Sequence, residues 1–495
     1  MARAVHTREA DAVALMRFAV ALVGVLAIAW TAADGDLWGH VRFGEDILDQ
    51  HSLTKHDPYS FTSDRPWVNH EWLSELLIGL GYRAGGALGL VVLKTLLALG
   101  VFAFVVMALR RVRWRPVDHD LLIVLAVTAA FARLHFMRPQ VFSLLLFAAL
   151  LYVLIAADRG GVRALVAVPV IMALWGNLHG AWLVGFATLS VWVLIRMLRL
   201  GAPRIDRRWL LGVWAAGVTA TLLNPYGTGL WTYLHQTVGL SRPEIRDWQP
   251  LFELSPVLIA PALAAAAVAV TAVVKARRHA DPAYVLIVFT LALATLRISR
   301  FDAFFGVAVV MLLGPYLGRV RARAVEGRQA AAMPWRRPLG AAVAVSLVAI
   351  AGGYSASALD CLKISDEPEP QSTAFLAHRQ ARVLTYFNWG QYAIWHLAPG
   401  IKVSMDGRRD TVYSDALLDA HIRLYFDKPG ATALVKRLRP DLIWLPVRFH
   451  VVKRLRRQGW RPIFRGPISV VLSRRGRDHT IVRSVPHGQR CFPAY

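Results

Sequence analysis

The sequence predicts a polytopic α-helical membrane protein with a small α/β domain at its C-terminal end, and three observations lead there. The 495 residues are 56% hydrophobic, with a mean hydropathy of +0.43. The apolar residues gather in runs long enough to cross a hydrocarbon layer of ~30 Å. Much of the net charge of +25 falls in connections between those runs.

The runs cover roughly residues 13–33, 87–109, 120–134, 139–157, 164–178, 180–198, 209–224, 256–274, 282–297, 301–318 and 338–355, about eleven spans in all. The first follows MARAVHTREADAVALMRF; it is too long for a signal-peptide core and lacks a clear small-residue cleavage site, so it reads as a retained helix. The basic segments RRVRWR, DRGGVR, RMLRLGAPRIDRR, KARRHA and GRVRARAVEGRQAAAMPWRRP fall in alternate connections. Positive-inside logic places these connections and the N-terminus in the cytoplasm and the C-terminal part outside (N-in/C-out). Charge distributed in this way is explained by topology, and no nucleic acid is expected as a partner.

Two parts of the chain depart from the helical pattern. Residues 34–86 form a long extracytoplasmic loop within a transmembrane domain of residues 1–355. In it LWGHVRFGEDILDQ sets Leu37, Val41, Ile47 and Leu48 near one face of a helix suited to the membrane interface, and a second helix starts around Asn69. Residues 356–495 read as an extracytoplasmic α/β domain. ARVLTYF, IKVSM, DLIWLP and ISVVLSR have the character of buried strands, alternating with the helical stretches WGQYAIWHLA and FHVVKRLRRQG. Cys361 and Cys491 bracket this domain, and in an oxidising compartment they are expected to form a disulfide; two buried thiols are the alternative.

The candidate chemistry sits on the outer side. Asp34 and Asp36 lie nearest the membrane edge, where a carboxylate serves as a general base or binds a divalent metal; the plainer role for Asp36 is to cap the helix that follows. His70 and Glu71 are a site pair or the acidic start of a helix. Connections on the same side carry Arg138 in FARLHFMRPQ, Asn177 and His179 in WGNLHGAW, and Arg297 and Arg300 in RISRFD. Polar groups at membrane depth are costly and usually functional, and arginine forks suit a lipid phosphate or pyrophosphate. Snorkelling to headgroups is the alternative for any one of them.

The stretch DGDLWGHVRFGEDILDQHSLTKHDPYSFTSDRPWVNHEWLSELL resembles the first outer loop of bacterial GT-C-type glycosyltransferase-like membrane proteins. In that family D-x-D-L-W-x-H, D-P-[FY]-S-[FY]-T and P-W-x-x-H-E-W-L-x-E recur in this order after the first helix. The resemblance implies an enzyme of the bacterial inner (plasma) membrane that uses a polyprenyl-phosphate-linked sugar, with an acid of this loop in the active site. Here that acid is Asp36 inside the D-L-W-x-H match, or Asp34. His40, His70 and Glu71 of the matched motifs join Arg138, Asn177, His179, Arg297 and Arg300 as candidate substrate-binding residues.

A second stretch, VLTYFNWGQYAIWHLAPGIKVSMDGRRDTVY, is similar in layout to the outer domain of oligosaccharyltransferase catalytic subunits. Their Trp-Trp-Asp-Tyr-Gly motif corresponds to Tyr386, Phe387, Asn388, Trp389 and Gly390. Asn388 replaces the aspartate, so sequon recognition is not carried over. Asp406, Arg408 and Asp410 contact the acceptor or simply shape the turn that holds them.

The expected reaction is transfer of a sugar from the lipid donor to an envelope glycan, lipid or protein, in one displacement that inverts the anomeric centre. A divalent metal at Asp34 and Asp36 is possible; no His/Asp/Glu set at ligand spacing demands one. A lipid or glycan transporter would show intramembrane charges and broken helices at matching places in two halves, and no such pairing is present. A catalytically silent scaffold of the same fold is the third reading.

Overall fold

The computed structural model describes residues 29–110, 116–201, 204–237, 245–318, 361–364, 367–475, 480–482 and 490–494, together with Gly24 and Arg242. The expected spans at 13–33 and 338–355 lie outside the described residues, apart from Gly24 and residues 29–33. The chain divides into two compact units, one of residues 1–31 and 91–360 and one of 32–90 and 361–495. The long first loop therefore belongs with the C-terminal domain, whereas the sequence had grouped it with the helices.

The helical unit contains Pro116–Leu134, Gln140–Asp158, Ala167–Leu178, Trp182–Met197, Arg207–Ala220, Pro256–Ala276 and Pro282–Arg297, followed by a helical run over Ser299–Gly318. Four helices of the described chain are long and apolar enough to cross a membrane: Trp72–Leu109, Gln140–Asp158, Pro256–His279 and Ser299–Gly318. Shorter apolar helices occupy Val162–Leu178, Trp182–Met197 and Pro282–Arg297. Trp72–Leu109 breaks at Gly85–Gly86, where Gly86 has φ +56°, a conformation a side chain would oppose. Asp206 and Asp281 cap their helices by accepting from the N–H groups of Arg208 and Ala283.

The second unit is built on a six-stranded mixed sheet. In chain order the strands are β1 (Ala381–Thr385), β2 (Ile401–Val403), β3 (Leu442–Pro446), β4 (Arg461–Arg465), β5 (Ser469–Ser473) and β6 (Thr480–Ile481). They lie in the order β2-β1-β3-β5-β4-β6. β1 runs parallel to β2 and β3, and β5 runs antiparallel to β3 and β4. β3 is apolar throughout and β5 has an apolar centre between two serines, and both are fully buried, as central strands require. The four predicted strands and both predicted helices, Gly390–Leu397 and Val451–Arg457, are present, and the α/β character of this domain is borne out. β4 was missed: its ends are exposed arginines and it contains Pro462, so it lacks a continuous apolar run.

The first loop extends this sheet. Ser60 bridges Val403 of β2, and the Phe61 N–H donates to the Val403 carbonyl at 3.1 Å. The helix Leu37–Gln50 forms where predicted, but its first half is buried on nearly every side instead of presenting one face. Its packing explains the difference. Trp38 meets Tyr392 edge-on and Phe492 at a tilt and donates to the Pro493 carbonyl at 2.9 Å. Gly44 and Gly79 bring two helices into backbone contact: a Cβ on Gly44 would lie 2.0 Å from the Glu75 carbonyl oxygen. Cys361 and Cys491 are joined in a disulfide, and Lys363 beside it bridges both Ala32 and Cys491.

Candidate functional site

In the loop-and-sheet unit the two aspartates do different work. Asp34 Oδ1 accepts from the N–H groups of Asp36 at 3.2 Å and Leu37 at 3.1 Å, so Asp34 satisfies the open amides at the helix start. Asp36 makes no capping bond with its side chain. Its carboxylate reaches the turn after β2 instead: a Cβ on Gly407 would lie 2.1 Å from Asp36 Oδ1 and 2.8 Å from Gln391 Nε2. A side chain there would push the Asp36 carboxylate aside. Asn388, at the corresponding turn after β1, approaches Gly35 through its backbone oxygen. Asp36 thus lies beyond the carboxyl ends of the parallel strands, where open α/β sheets place their ligands.

One helical turn on from Asp36, His40 is buried and its Nδ1 lies 3.3 Å from Glu75 Oε1. Asn69 Nδ2 donates to Glu75 Oε2 at 2.5 Å, and the Glu71 N–H donates to Asn69 Oδ1 at 3.2 Å. His70 Nε2 lies 3.5 Å from Glu71 Oε1. Burial works against a charged His40. The Glu75 hydrogen bond and the charges of Glu71, Glu75 and Asp36 outweigh it and raise the imidazole pKa above its usual value. Glu75 lies outside the candidate set read from the sequence; the signal was its four-residue spacing from Glu71, which puts both acids on one helix face. Gln391 was missed altogether. It is buried beside Asp36 and Gly39, and its Oε1 has no hydrogen-bond partner among the described residues.

His40, Glu71 and Glu75 each bring a ligand atom within 4.8 Å of the others. One imidazole and two carboxylates make a reasonable donor set for a divalent transition metal, whose binding requires the neutral imidazole and so competes with its protonation. Asp34 and Asp36, the metal candidates read from the sequence, are not members of this set.

The turn at residues 406–410 is a structural clamp. Arg408 forks onto Asp406, with Nε 2.8 Å from Oδ1 and Nη2 2.7 Å from Oδ2, and its Nη1 donates to Asp57 Oδ1 at 2.7 Å. Tyr413 donates to Asp406 Oδ2 at 2.5 Å. The guanidinium lies against Phe43, Tyr59 and Trp67, its carbon 5.1, 5.6 and 4.7 Å from the three ring centroids. Burial favours a neutral Asp406, but the bidentate fork overrides it and holds this carboxyl below its ordinary range. Asp57, with a single bond to Arg408, is pushed up by its burial. Asp406 and Arg408 are buried and committed to this clamp, which leaves neither on the surface for an acceptor; the side chain of Asp410 lies outside the described residues.

The helical unit gathers the cationic candidates. Arg133 forks onto Asp302 at 2.9 and 3.0 Å and donates to the Ser299 carbonyl at 3.0 Å. Asp247 bridges Arg133 at 2.8 Å and Arg138 at 3.4 Å. Burial favours a neutral Asp247, but Arg133 and Arg138 hold its carboxyl below the usual range. Arg300 approaches His179 Nε2 at 3.5 Å, while His179 Nδ1 meets Ser143 Oγ at 2.8 Å. Arg242 and Arg300 both lie against the Trp248 ring, at 4.0 and 5.6 Å. Arg242, Asp247 and Trp248 come from a connection that the sequence reading passed over. Arg138, His179 and Arg300 are thus placed in this polar region. Asn177 donates to the carbonyls of Ala173 and Leu223 at 2.8 Å each, tying two backbone segments together. Arg297 is exposed and joins none of these pairs among the described residues, because its helix ends there and the extended Ile298 redirects the chain.

No protein-family model and no curated protein matches this sequence. Solved structures do. The archaeal oligosaccharyltransferase AglB from Archaeoglobus fulgidus, solved with an inhibitory peptide and a dolichol-phosphate, superposes with a TM-score of 0.59 at 10% identity, covering 88% of this chain and 69% of its own. ArnT from Cupriavidus metallidurans, solved with undecaprenyl phosphate, gives 0.52 at 16% identity, covering 94% of this chain and 98% of its own. The mycobacterial arabinofuranosyltransferase AftD gives 0.51 at 14% identity, covering 94% of this chain and 42% of its own. The chain has the fold of the GT-C-type glycosyltransferases.

Proposed function

We propose that this protein is a multi-pass membrane glycosyltransferase that takes a sugar from a polyprenyl-phosphate-linked donor and passes it to an envelope acceptor at the extracytoplasmic face. The observation that carries the reading is Asp36. This carboxylate stands at the carboxyl ends of the parallel strands, is relieved of capping by Asp34, and belongs to a fold shared with proteins solved with dolichol-phosphate and undecaprenyl phosphate. In the reaction Asp36 accepts the proton of the attacking acceptor hydroxyl. The oxygen forms a bond to the anomeric carbon as the bond to the lipid phosphate breaks, and the electron pair leaves on that phosphate. One displacement inverts the anomeric centre. In the helical unit, Arg138 and Arg300 are the cations proposed to bind a lipid phosphate. A divalent ion held by His40, Glu71 and Glu75 would add Lewis-acid stabilisation of phosphate oxygens.

The test is a donor panel. Purified protein in nanodiscs is incubated with polyprenyl-phosphate sugars and membrane extract, and free polyprenyl phosphate is followed by mass spectrometry. Turnover of one donor, reduced at least tenfold in Arg138→Ala or Arg300→Ala, supports the reading and names the sugar. If every donor stays intact, the reading fails.

A further inference from the structure

Positive-inside topology leaves one large block of charge unexplained. Twelve lysines and arginines lie between residues 436 and 475 against the single acid Asp441, and all twelve are exposed. They sit inside a long folded domain, where charges do not set orientation. Ten of the twelve are arginine, the residue that grips carboxylates and phosphates with a planar fork. Among the described residues, only Asp427 and Asp441 form ion pairs in this region, with Arg454 and with Arg382.

The fold collects much of this charge at one end of the sheet. Arg461 of β4 stands opposite Ser473 of β5, and Arg475 follows directly after that strand. Ser473 in turn pairs with Leu442, the first residue of β3, just beyond Arg439. The helix Val451–Arg457 lies between β3 and β4 in sequence, and its last residues, Arg456 and Arg457, come just before Arg461 at the start of β4. The opposite end of β5 meets the chain that follows Cys361: Glu369 accepts from the Ser469 N–H at 2.9 Å. Four residue steps along β5 separate the two ends by about 13 Å. The first loop joins the sheet at β2, the edge remote from β4. Within this unit the arginine-rich end therefore lies away both from Asp36 and from the segments that connect to the membrane helices. That placement favours a soluble polyanion over a membrane surface as the partner.

We infer that the amino-terminal end of this sheet is a docking surface for an acidic envelope polymer rich in carboxylate or phosphate groups, with Arg456, Arg457, Arg461 and Arg475 at its centre. The role of that polymer as the acceptor rests on the transferase reading; its binding does not.

The full-length protein in neutral nanodiscs is titrated with polygalacturonate, with dextran as the uncharged control and phosphatidylglycerol vesicles as the membrane control. Two variants are compared with it. One carries Arg456→Glu, Arg457→Glu, Arg461→Glu and Arg475→Glu; the other carries four matching reversals at the exposed Arg204, Arg207, Arg208 and Arg278 of the helical unit. Wild type is expected to bind polygalacturonate and not dextran, with affinity falling as salt rises. The first variant is expected to lose at least tenfold and the second less than twofold. Glutamine replacements at the same four positions, with at least a threefold loss, serve if the reversal variant misfolds. Equal losses in both variants, no loss in the first, or binding to the vesicles alone would each overturn the inference. Polymer binding without donor turnover would retain the surface and remove its role in transfer.

Discussion

Replacing Arg408 with methionine tests the clamp that joins the first loop to the C-terminal domain. The change keeps an unbranched chain among Phe43, Tyr59 and Trp67 but removes three charge-assisted hydrogen bonds, two to Asp406 and one to Asp57. Both carboxylates have fully buried side chains. Asp406 retains Tyr413 and the Arg408 N–H, and Asp57 retains the N–H groups of Tyr59 and Ser60. Breaking a buried ion pair on one side costs about 3–5 kcal/mol. At ~2–4 °C per kcal/mol for a unit of this size, the melting temperature at pH 8 should fall by roughly 6–20 °C. The pH dependence has a definite sign. In wild type the depressed Asp406 contributes stability that is present above its unfolded pKa and lost only as the pH falls through its lower folded value. Without Arg408, burial raises both carboxyl pKa values, and the variant loses stability as the pH rises through them. The deficit should therefore be larger at pH 8 than at pH 5. Tryptophan fluorescence during thermal unfolding reads it directly, with Trp67 packed on the guanidinium. A shift below 2 °C at pH 8, or a deficit that grows in acid, would refute the reasoning.

Three further outcomes follow from the same unit. Burial, only partly offset by Arg42, raises the Asp46 carboxyl to a pKa of about 6, so its charged form is a liability above that pH. Asp46→Asn should stabilise the protein at pH 8, by about 1–3 kcal/mol, and leave it unchanged at pH 4, as read by thermal unfolding at both pH values. The disulfide spans a sequence separation of 130, and chain entropy assigns it up to about 5 kcal/mol. Cys361→Ser with Cys491→Ser should lower the melting temperature, and reductant should do the same to wild type but not to the variant. If His40, Glu71 and Glu75 hold a metal, plasma mass spectrometry should find one divalent ion per chain after dialysis, lost in His40→Ala. An ion retained in that variant would place the metal elsewhere.

The sequence made local structure legible and long-range pairing invisible. Apolar runs revealed β1, β2, β3 and β5, and the pattern from Leu37 to Gln50 marked its helix to the residue. The sequence could not assign the first loop to the C-terminal domain. The contacts that do so, Arg408 with Asp57 and Thr62 with Ser404, join residues more than 300 apart and leave no local signature. The D-x-D spacing raised a base and offered Asp36 as the cap; the backbone amides are instead aimed at Asp34, and the Asp36 side chain makes no cap. Asp406 and Arg408 look like a polar surface turn in sequence. They are buried because each satisfies the other. Arg297 and Arg300 look equivalent in RISRF, yet a helix end between them sends Arg300 toward His179 and Trp248 and leaves Arg297 exposed.

The proposed division of labour makes Asp36 the catalytic base and Asp34 the residue that holds the helix presenting it. Single-turnover release of polyprenyl phosphate, measured on folded Asp36→Asn and Asp34→Asn with the donor that wild type turns over, tests it most directly. A fall of about 10²–10⁴ in the chemical step is expected for Asp36→Asn, and a much smaller kinetic effect with a loss of about 1 kcal/mol in stability for Asp34→Asn. Near-wild-type turnover in Asp36→Asn, or the larger kinetic loss in Asp34→Asn, would contradict it.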